Sequence, residues 1–216
     1  MEQLSQGLDN TPHQTYLFNW REDDLRPKPF LKWAGGKSRL LPALHRCAPK
    51  KFGCYFEPFL WGGALFFGLC PQNAVLSDSN DELIHCYRIV RDRPEEVIER
   101  LSKLKVSEEE FYKIRAMRSE VLSAVARAAR FIYLNKTCFN GLYRVNKNGL
   151  FNTPFGRNRI ASLVDRANLR RASRALQEAR LQCADYSAVL QCAVAGDFIY
   201  SDPPYLPIST YSHFSN

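Results

Sequence analysis

The sequence predicts an α/β fold, a Rossmann-like sheet carrying an inserted, mainly helical subdomain. Three observations carry this. A short apolar stretch, Cys54-Tyr55-Phe56-Glu57, runs through Pro58 and Phe59 into the turn Leu60-Trp61-Gly62-Gly63 and then an apolar run from Leu65. Strand, glycine turn and helix in that order are the usual entry to a nucleotide-type pocket. A second short strand, Ala74-Val75-Leu76-Ser77, ends on Asp78. From Glu95 to about Arg180 the apolar spacing turns helical, and strand patterns return at Leu181-Gln182-Cys183 and Phe198-Ile199-Tyr200.

Taken in order, residues 1–28 form a polar arm of mixed charge. Next comes Phe30-Leu31-Lys32-Trp33-Ala34-Gly35-Gly36-Lys37, followed by a short helix with Ser38 near its start. A glycine turn feeding a helix start, with a lysine beside it, suits an anion or a carboxylate. The spacing is not that of a phosphate-binding P-loop. Asp78, at the end of the second strand, is placed to accept hydrogen bonds from a ribose, the reading the glycine turn favours; the alternative is an N-cap for the helix over Asp81-Glu82-Leu83-Ile84. Ser107 with Glu110 matches a capping box, and Ser123 to Asn135 reads as another helix. Asn135 to Arg157 is polar, aromatic and rich in turn residues, and reads as a loop or hairpin presenting side chains rather than a core element. A short helix from Ser187 to Val194 leads to the last strand, read as buried.

That strand opens onto Asp202-Pro203-Pro204-Tyr205. The carboxyl end of a strand is where open α/β sheets place their ligands. Asp202 offers carboxylate oxygens, Pro203 a carbonyl held in direction by a fixed φ, and Tyr205 a ring to stack on a flat heterocycle. Together they suit an exocyclic amino group, although four residues alone equally describe a proline-rich strand exit.

The net charge of +8 favours an acidic partner, nucleic acid first. The excess is concentrated: Arg127, Arg130, Lys136, Arg144, Lys147, Arg157, Arg159, Arg166, Arg170, Arg171 and Arg174 share their stretch with one acid, Asp165. Interleaved with Phe139, Tyr143, Phe151 and Phe155, they fit phosphate neutralisation and base stacking. The seven cysteines are irregularly spaced without a C-x-x-C pair, which points to reduced thiols and to no metal site. No apolar run is long enough for a bilayer and the first residues do not read as a signal peptide, so the expectation is a cytoplasmic, DNA-associated protein without membrane contact.

Five motifs occur in one order: Phe30 to Lys37, Glu57-Pro58-Phe59 with its glycine turn, Asn140-Gly141-Leu142-Tyr143-Arg144, Phe151-Asn152-Thr153-Pro154-Phe155-Gly156, and Asp202-Pro203-Pro204-Tyr205. In this the chain resembles the Dam-like DNA adenine N6-methyltransferases, over residues 29 to 216. The resemblance implies S-adenosylmethionine as cofactor, contacted at Trp33, Lys37, Asp78 and Asp202, with Phe59 and Tyr186 as further contacts. It implies double-stranded DNA as substrate, a GATC-type site as the default target, and duplex contacts at Lys32, Phe139, Asn140, Leu142, Arg144 and Pro154. Asp202, Pro203, Pro204 and Tyr205 become the catalytic loop acting on a flipped-out adenine, with no metal required. The implied division is a catalytic domain over residues 29–95 and 181–216 and a target-recognition subdomain over 96–180.

Two departures from the family pattern stand out. Trp61 occupies the first glycine position of the cofactor turn. The indole either fills part of the pocket or points away, leaving Gly62-Gly63 to make the turn, and the sequence is consistent with both. Eleven residues follow Tyr205, where family members continue with further strands. The expectation is a sheet lacking its C-terminal strands and a monomer able to self-associate through the bared edge. A truncated, non-catalytic DNA-binding relative is the alternative reading; enzymes acting on RNA adenine or protein glutamine fit the motifs less well.

Overall fold

The computed structural model describes residues 26–157 and 162–204. Among them, β1 (Tyr55–Glu57), β2 (Ala74–Asp78), β3 (Ala179–Cys183) and β4 (Phe198–Ile199) form one parallel sheet in the order β3-β2-β1-β4. Parallel neighbours need crossovers, and helices supply them. A short helix, α1 (Leu41–Cys47), precedes β1; the connection from β1 to β2 is α2 (Ala64–Leu69), and that from β3 to β4 is α8 (Tyr186–Leu190). Between β2 and β3 lies the insert: α3 (Asp81–Asp92), α4 (Pro94–Ser102), α5 (Glu108–Ala116), α6 (Ala124–Thr137) and α7 (Arg166–Leu176).

Every residue of β1 and β2 is buried, as expected of strands covered on both faces. Tyr55, Ala74 and Leu76 join the large core with Phe66, Leu83, Tyr87 and Leu134, whereas Phe56 and Val75 meet Val189 of α8 in a small second core. The insert packs on the sheet through α3, which contacts β2, β3, α6 and α7. Polar caps start its helices where the sequence offers them: Asn80, Ser107, Ser123 and Asp165 each accept a backbone N–H of the first turn.

Two sequence expectations need correction. The strand before Asp202 is not buried: among the described residues β4 bonds to β1 alone, Phe198 is half-buried, and Ile199 is 43% exposed. The stretch from Asn135 is a hairpin, one of its two readings, but against expectation it is also a core element. The bridges Cys138–Phe155 and Val145–Phe151 close an antiparallel hairpin whose apolar face is core, with Cys138, Phe151 and Thr153 buried. Of the two readings of Asp78, the alternative as cap of α3 falls: Asn80 takes that place, its side chain accepting from Leu83 N–H at 3.2 Å.

Two asparagines perform a task that their sequence context concealed. Fully buried Asn135 accepts from Lys32 N–H at 2.8 Å and donates to Lys32 C=O at 2.7 Å. Asn168 repeats the arrangement on Lys28, at 2.8 and 2.9 Å. Each side-chain amide mimics a strand neighbour, straps the segment from Lys28 to Lys32 against α6 and α7, and satisfies backbone groups that would otherwise cost about 1–3 kcal/mol each. Phe30, between the clamps, packs its ring on Tyr87 at 4.9 Å. The strap delivers Trp33 and the Gly35-Gly36 turn to the carboxyl end of β1.

Candidate active site

A cleft of about 820 Å³ opens at the carboxyl ends of β1 and β4, within the range of small-molecule sites. Three parts of the chain wall it: the strap and glycine turn with Trp33 and Lys37, the strand ends with Glu57, Trp61 and Asp202-Pro203-Pro204, and the hairpin with Asn140, Leu142 and Arg144. Tyr205 lies outside the described residues.

The carboxylate that the glycine turn meets is the chain's own. Lys37 Nζ donates to Asp202 Oδ2 at 2.5 Å and to Gly35 C=O at 3.0 Å, and both side chains of the ion pair are more than four-fifths shielded from solvent. Trp61 decides between the two sequence readings: it turns into the cleft. Its indole Nε1–H donates to the Asp202 carbonyl at 2.8 Å, and its ring lies 5.5 Å from that of Trp33, which stacks on Tyr143 at 5.8 Å. The backbone of Trp61 has φ 48°, a left-handed conformation unusual for an aromatic residue and costing roughly 1–2 kcal/mol. Its N–H donates to Asp78 Oδ2 at 3.2 Å and its C=O accepts from the Tyr87 hydroxyl at 3.3 Å, which hold the strained turn.

Asp78, Phe59 and Tyr186 lie outside the cleft wall. Asp78 is buried, its oxygens accepting from the N–H groups of Trp61 and Asn80, and burial pushes its carboxyl upward. Phe59 and the exposed Tyr186 stack on one another at 5.3 Å. β3, β2 and β1 lie side by side, so Tyr186, Asp78 and the cleft follow one another across the strand ends.

The sequence reading gave Glu57 no role. It is 2% exposed, walls the cleft, and accepts from the Tyr55 hydroxyl at 2.7 Å. Burial, with a smaller contribution from the nearby Asp202 charge, pushes its carboxyl up to about 8. An acid closing an otherwise apolar strand was the signal to find it.

Among the residues implied to touch DNA, Asn140, Leu142 and Arg144 wall the cleft with Lys32. Asn140 has φ 54°, and Gly141 packs so closely that a Cβ there would lie 2.6 Å from that of Lys32. Phe139 is half-exposed outside the cleft, its N–H bonded to Pro154 C=O at 2.9 Å. The other aromatics of the stretch face inward: Tyr143 lies 5.1 Å from Phe131, Phe151 is buried, and Phe155 lies 5.4 Å from Phe111. Phe151 and Phe155 are therefore packing groups, because the hairpin needs an apolar face to sit on α5 and α6, while Tyr143 also walls the cleft. The basic cluster also divides. Arg127 pairs with Asp81 and Glu82, Arg170 with Glu95, Arg130 donates to carbonyls at the end of α5, and Lys136 donates to Leu163 C=O. These cations brace the insert instead of forming one open face.

The sequence profile of the D12 class of N6 adenine-specific DNA methyltransferases matches residues 33–216. The chain belongs to this family. It is 41% identical over 204 residues to the type II methyltransferase M1.LlaDCHI of Lactococcus lactis subsp. cremoris, covering 91% of this chain and 72% of that one. The type II methyltransferase M.MjaIII of Methanocaldococcus jannaschii is 39% identical over 210 residues, 88% of this chain and 73% of its own. The DNA adenine methylase of Escherichia coli is 35% identical over 192 residues, 87% and 68% of the two chains. A methyltransferase of this family implies S-adenosylmethionine and a DNA substrate. The donor set fits such a cofactor: carboxylates, a lysine and stacked aromatic rings follow one another along the strand ends. Among the described residues, no group of His, Cys, Asp or Glu could hold a metal ion, and no helix is long and apolar enough to cross a membrane. All seven cysteines are free thiols.

Proposed function

We propose that this chain methylates N6 of an adenine flipped out of double-stranded DNA, with GATC-type sites as the first target. The observation that carries the reading is that Asp202, Pro203 and Pro204 share one cleft with Trp33 and Lys37 on one side and with Asn140, Leu142 and Arg144 on the other. S-adenosylmethionine, when bound, supplies an electrophilic methyl group. Trp33, Lys37, Asp78 and Asp202 would hold it, with Phe59 and Tyr186 at its far end.

The remaining work falls to the chain. An adenine within a duplex must leave the stack, at a cost of a few kcal/mol. The Asp202 carboxylate and the Pro203 carbonyl accept hydrogen bonds from the two amino N–H groups, drawing the nitrogen lone pair out of conjugation with the ring, and Tyr205, outside the described residues, would stack on the base. Lys37 orients the carboxylate through its 2.5 Å contact. Positioning and fixed dipoles then supply the rate. Lys32, Asn140, Leu142 and Arg144 face the duplex, with Phe139 and Pro154 beside them. In this reading residues 29–95 and 181–216 bind the cofactor and carry the chemistry, and 96–180 select the target.

Transfer of labelled methyl groups to three duplexes tests it: one with GATC, one with GATC already N6-methylated, and one with the four bases scrambled. Incorporation into the first alone is expected. Equal incorporation into all three contradicts site selection, and duplex binding without transfer to any supports the non-catalytic alternative.

A further inference from the structure

We infer that Trp61 is a positioning residue for methyl transfer, its indole N–H anchoring the Asp202-Pro203-Pro204 loop to the cofactor turn. The inference rests on the proposed methyl-transfer reading and adds to it a residue at which this chain departs from the family pattern. Proline has no N–H, so Pro203 and Pro204 cannot anchor themselves by donating. Among the described residues, two hydrogen bonds reach positions 202 to 204 from elsewhere: Lys37 Nζ to the Asp202 carboxylate, and Trp61 Nε1 to the Asp202 carbonyl. The second fixes the peptide that leads into Pro203, whose own carbonyl is the proposed acceptor. A glycine at position 61 has no side-chain donor to make it.

Occlusion of the cofactor by the indole is the competing account, and the cavity argues against it. About 820 Å³ remains open with the ring in place, ample for a small-molecule ligand. Trp61, Trp33 and Tyr143 form a row of rings along the wall, each within 6 Å of the next. The strain at Trp61 fits the same role. Its N–H is held by Asp78 and its C=O by Tyr87, so the turn aims the indole at Asp202 from a fixed base.

The test compares the parent chain with Trp61→Phe, which keeps a ring without the donor, and Trp61→Gly, which removes both ring and strain. Three readouts are needed: hydrogen exchange of the peptide spanning 198–204, calorimetric binding of S-adenosylmethionine, and kcat with KM on duplex DNA. For Trp61→Phe the Tyr200 amide, which is bonded to Phe56 C=O at the root of the loop, is expected to exchange about tenfold faster and kcat to fall about tenfold, the worth of one hydrogen bond. Cofactor affinity should stay within about threefold, since the wall is kept. Unchanged exchange and kcat in Trp61→Phe overturn the proposal. So does Trp61→Gly binding the cofactor about tenfold or more tightly with kcat undiminished, the signature of occlusion. A parent that fails to bind S-adenosylmethionine refutes the proposed function instead, while the exchange comparison still judges Trp61.

Discussion

The cofactor turn, Leu60 to Gly63, and the hairpin, Cys138 to Gly156, border the same cleft and are held in opposite ways. The turn is anchored through Leu60, Trp61 and Gly63: Leu60 N–H on Ser77 C=O, Trp61 on Asp78, Tyr87 and Asp202, and Gly63 N–H on Leu60 C=O. The hairpin is tied at its root, where Gly156 N–H meets Thr137 C=O and Thr153 Oγ1 donates to Leu142 C=O, and its tip from Asn146 to Leu150 is exposed and bonds mostly to itself. Methyl transfer needs atoms held to within fractions of an ångström, whereas a recognition loop must adapt to a duplex. Under the proposed function the contrast would give rigidity to chemistry and freedom to target selection, and substitutions on each side of the cleft can break it.

The largest effect belongs on the anchored side. Asp202→Ala should lower methyl transfer by about a thousandfold or more while leaving duplex binding and the unfolding midpoint close to the parent's. Transfer near the parent rate, followed with labelled cofactor, would remove Asp202 from the chemistry. Next comes the clamp on the strap, Asn135 of α6. Asn135→Leu leaves the N–H and C=O of Lys32 without partners and should cost about 3 kcal/mol, read from urea unfolding. A loss below about 0.5 kcal/mol would mean that the strap is held by packing alone.

Glu57 gives a pH-dependent test of the same rigidity. Its carboxyl titrates near 8 in the folded protein against 4.5 for the ordinary group. Between those values the folded state keeps a proton that the unfolded chain has lost, so its contribution to stability is complete below about 4.5 and lost as pH rises through 8. Relative to Glu57→Gln, the parent should lose stability on going from pH 5 to pH 8, by at most about 1.4 kcal/mol per pH unit. Parallel denaturation midpoints across that range would place the Glu57 carboxyl at an ordinary value. The smallest effect on the fold belongs to the hairpin. Arg144→Ala should change stability by less than about 0.5 kcal/mol yet reduce the ratio of rates on target and off-target duplexes by about tenfold. An unchanged ratio would deny Arg144 a part in discrimination.

Local signals made much of the fold readable in the sequence. The short apolar runs ending on Glu57 and Asp78 marked β1 and β2, and Ser107 and Ser123 marked two helix starts. The motif order drew Trp33, Lys37, Asn140, Leu142, Arg144 and Asp202 into one group, and one cleft contains them all. What escaped depends on contacts between distant parts of the chain. Asn135 looked like the start of a polar loop, because its partner Lys32 lies 103 residues away. Phe151 and Phe155 looked available for stacking, because no local pattern shows which face of a hairpin meets a helix. The eleven cations looked like one basic surface until Asp81, Glu82 and Glu95, outside that stretch, were seen to pair with Arg127 and Arg170. The orientation of Trp61 could not be read locally either, since it depends on Asp202, 141 residues away.

The product itself tests the central claim most directly. A GATC-containing duplex incubated with the chain and S-adenosylmethionine, digested to nucleosides and analysed by mass spectrometry, should yield N6-methyladenine and no methylated cytosine. Methylated cytosine, or unmodified nucleosides alone from a chain that binds both cofactor and duplex, would contradict the assignment.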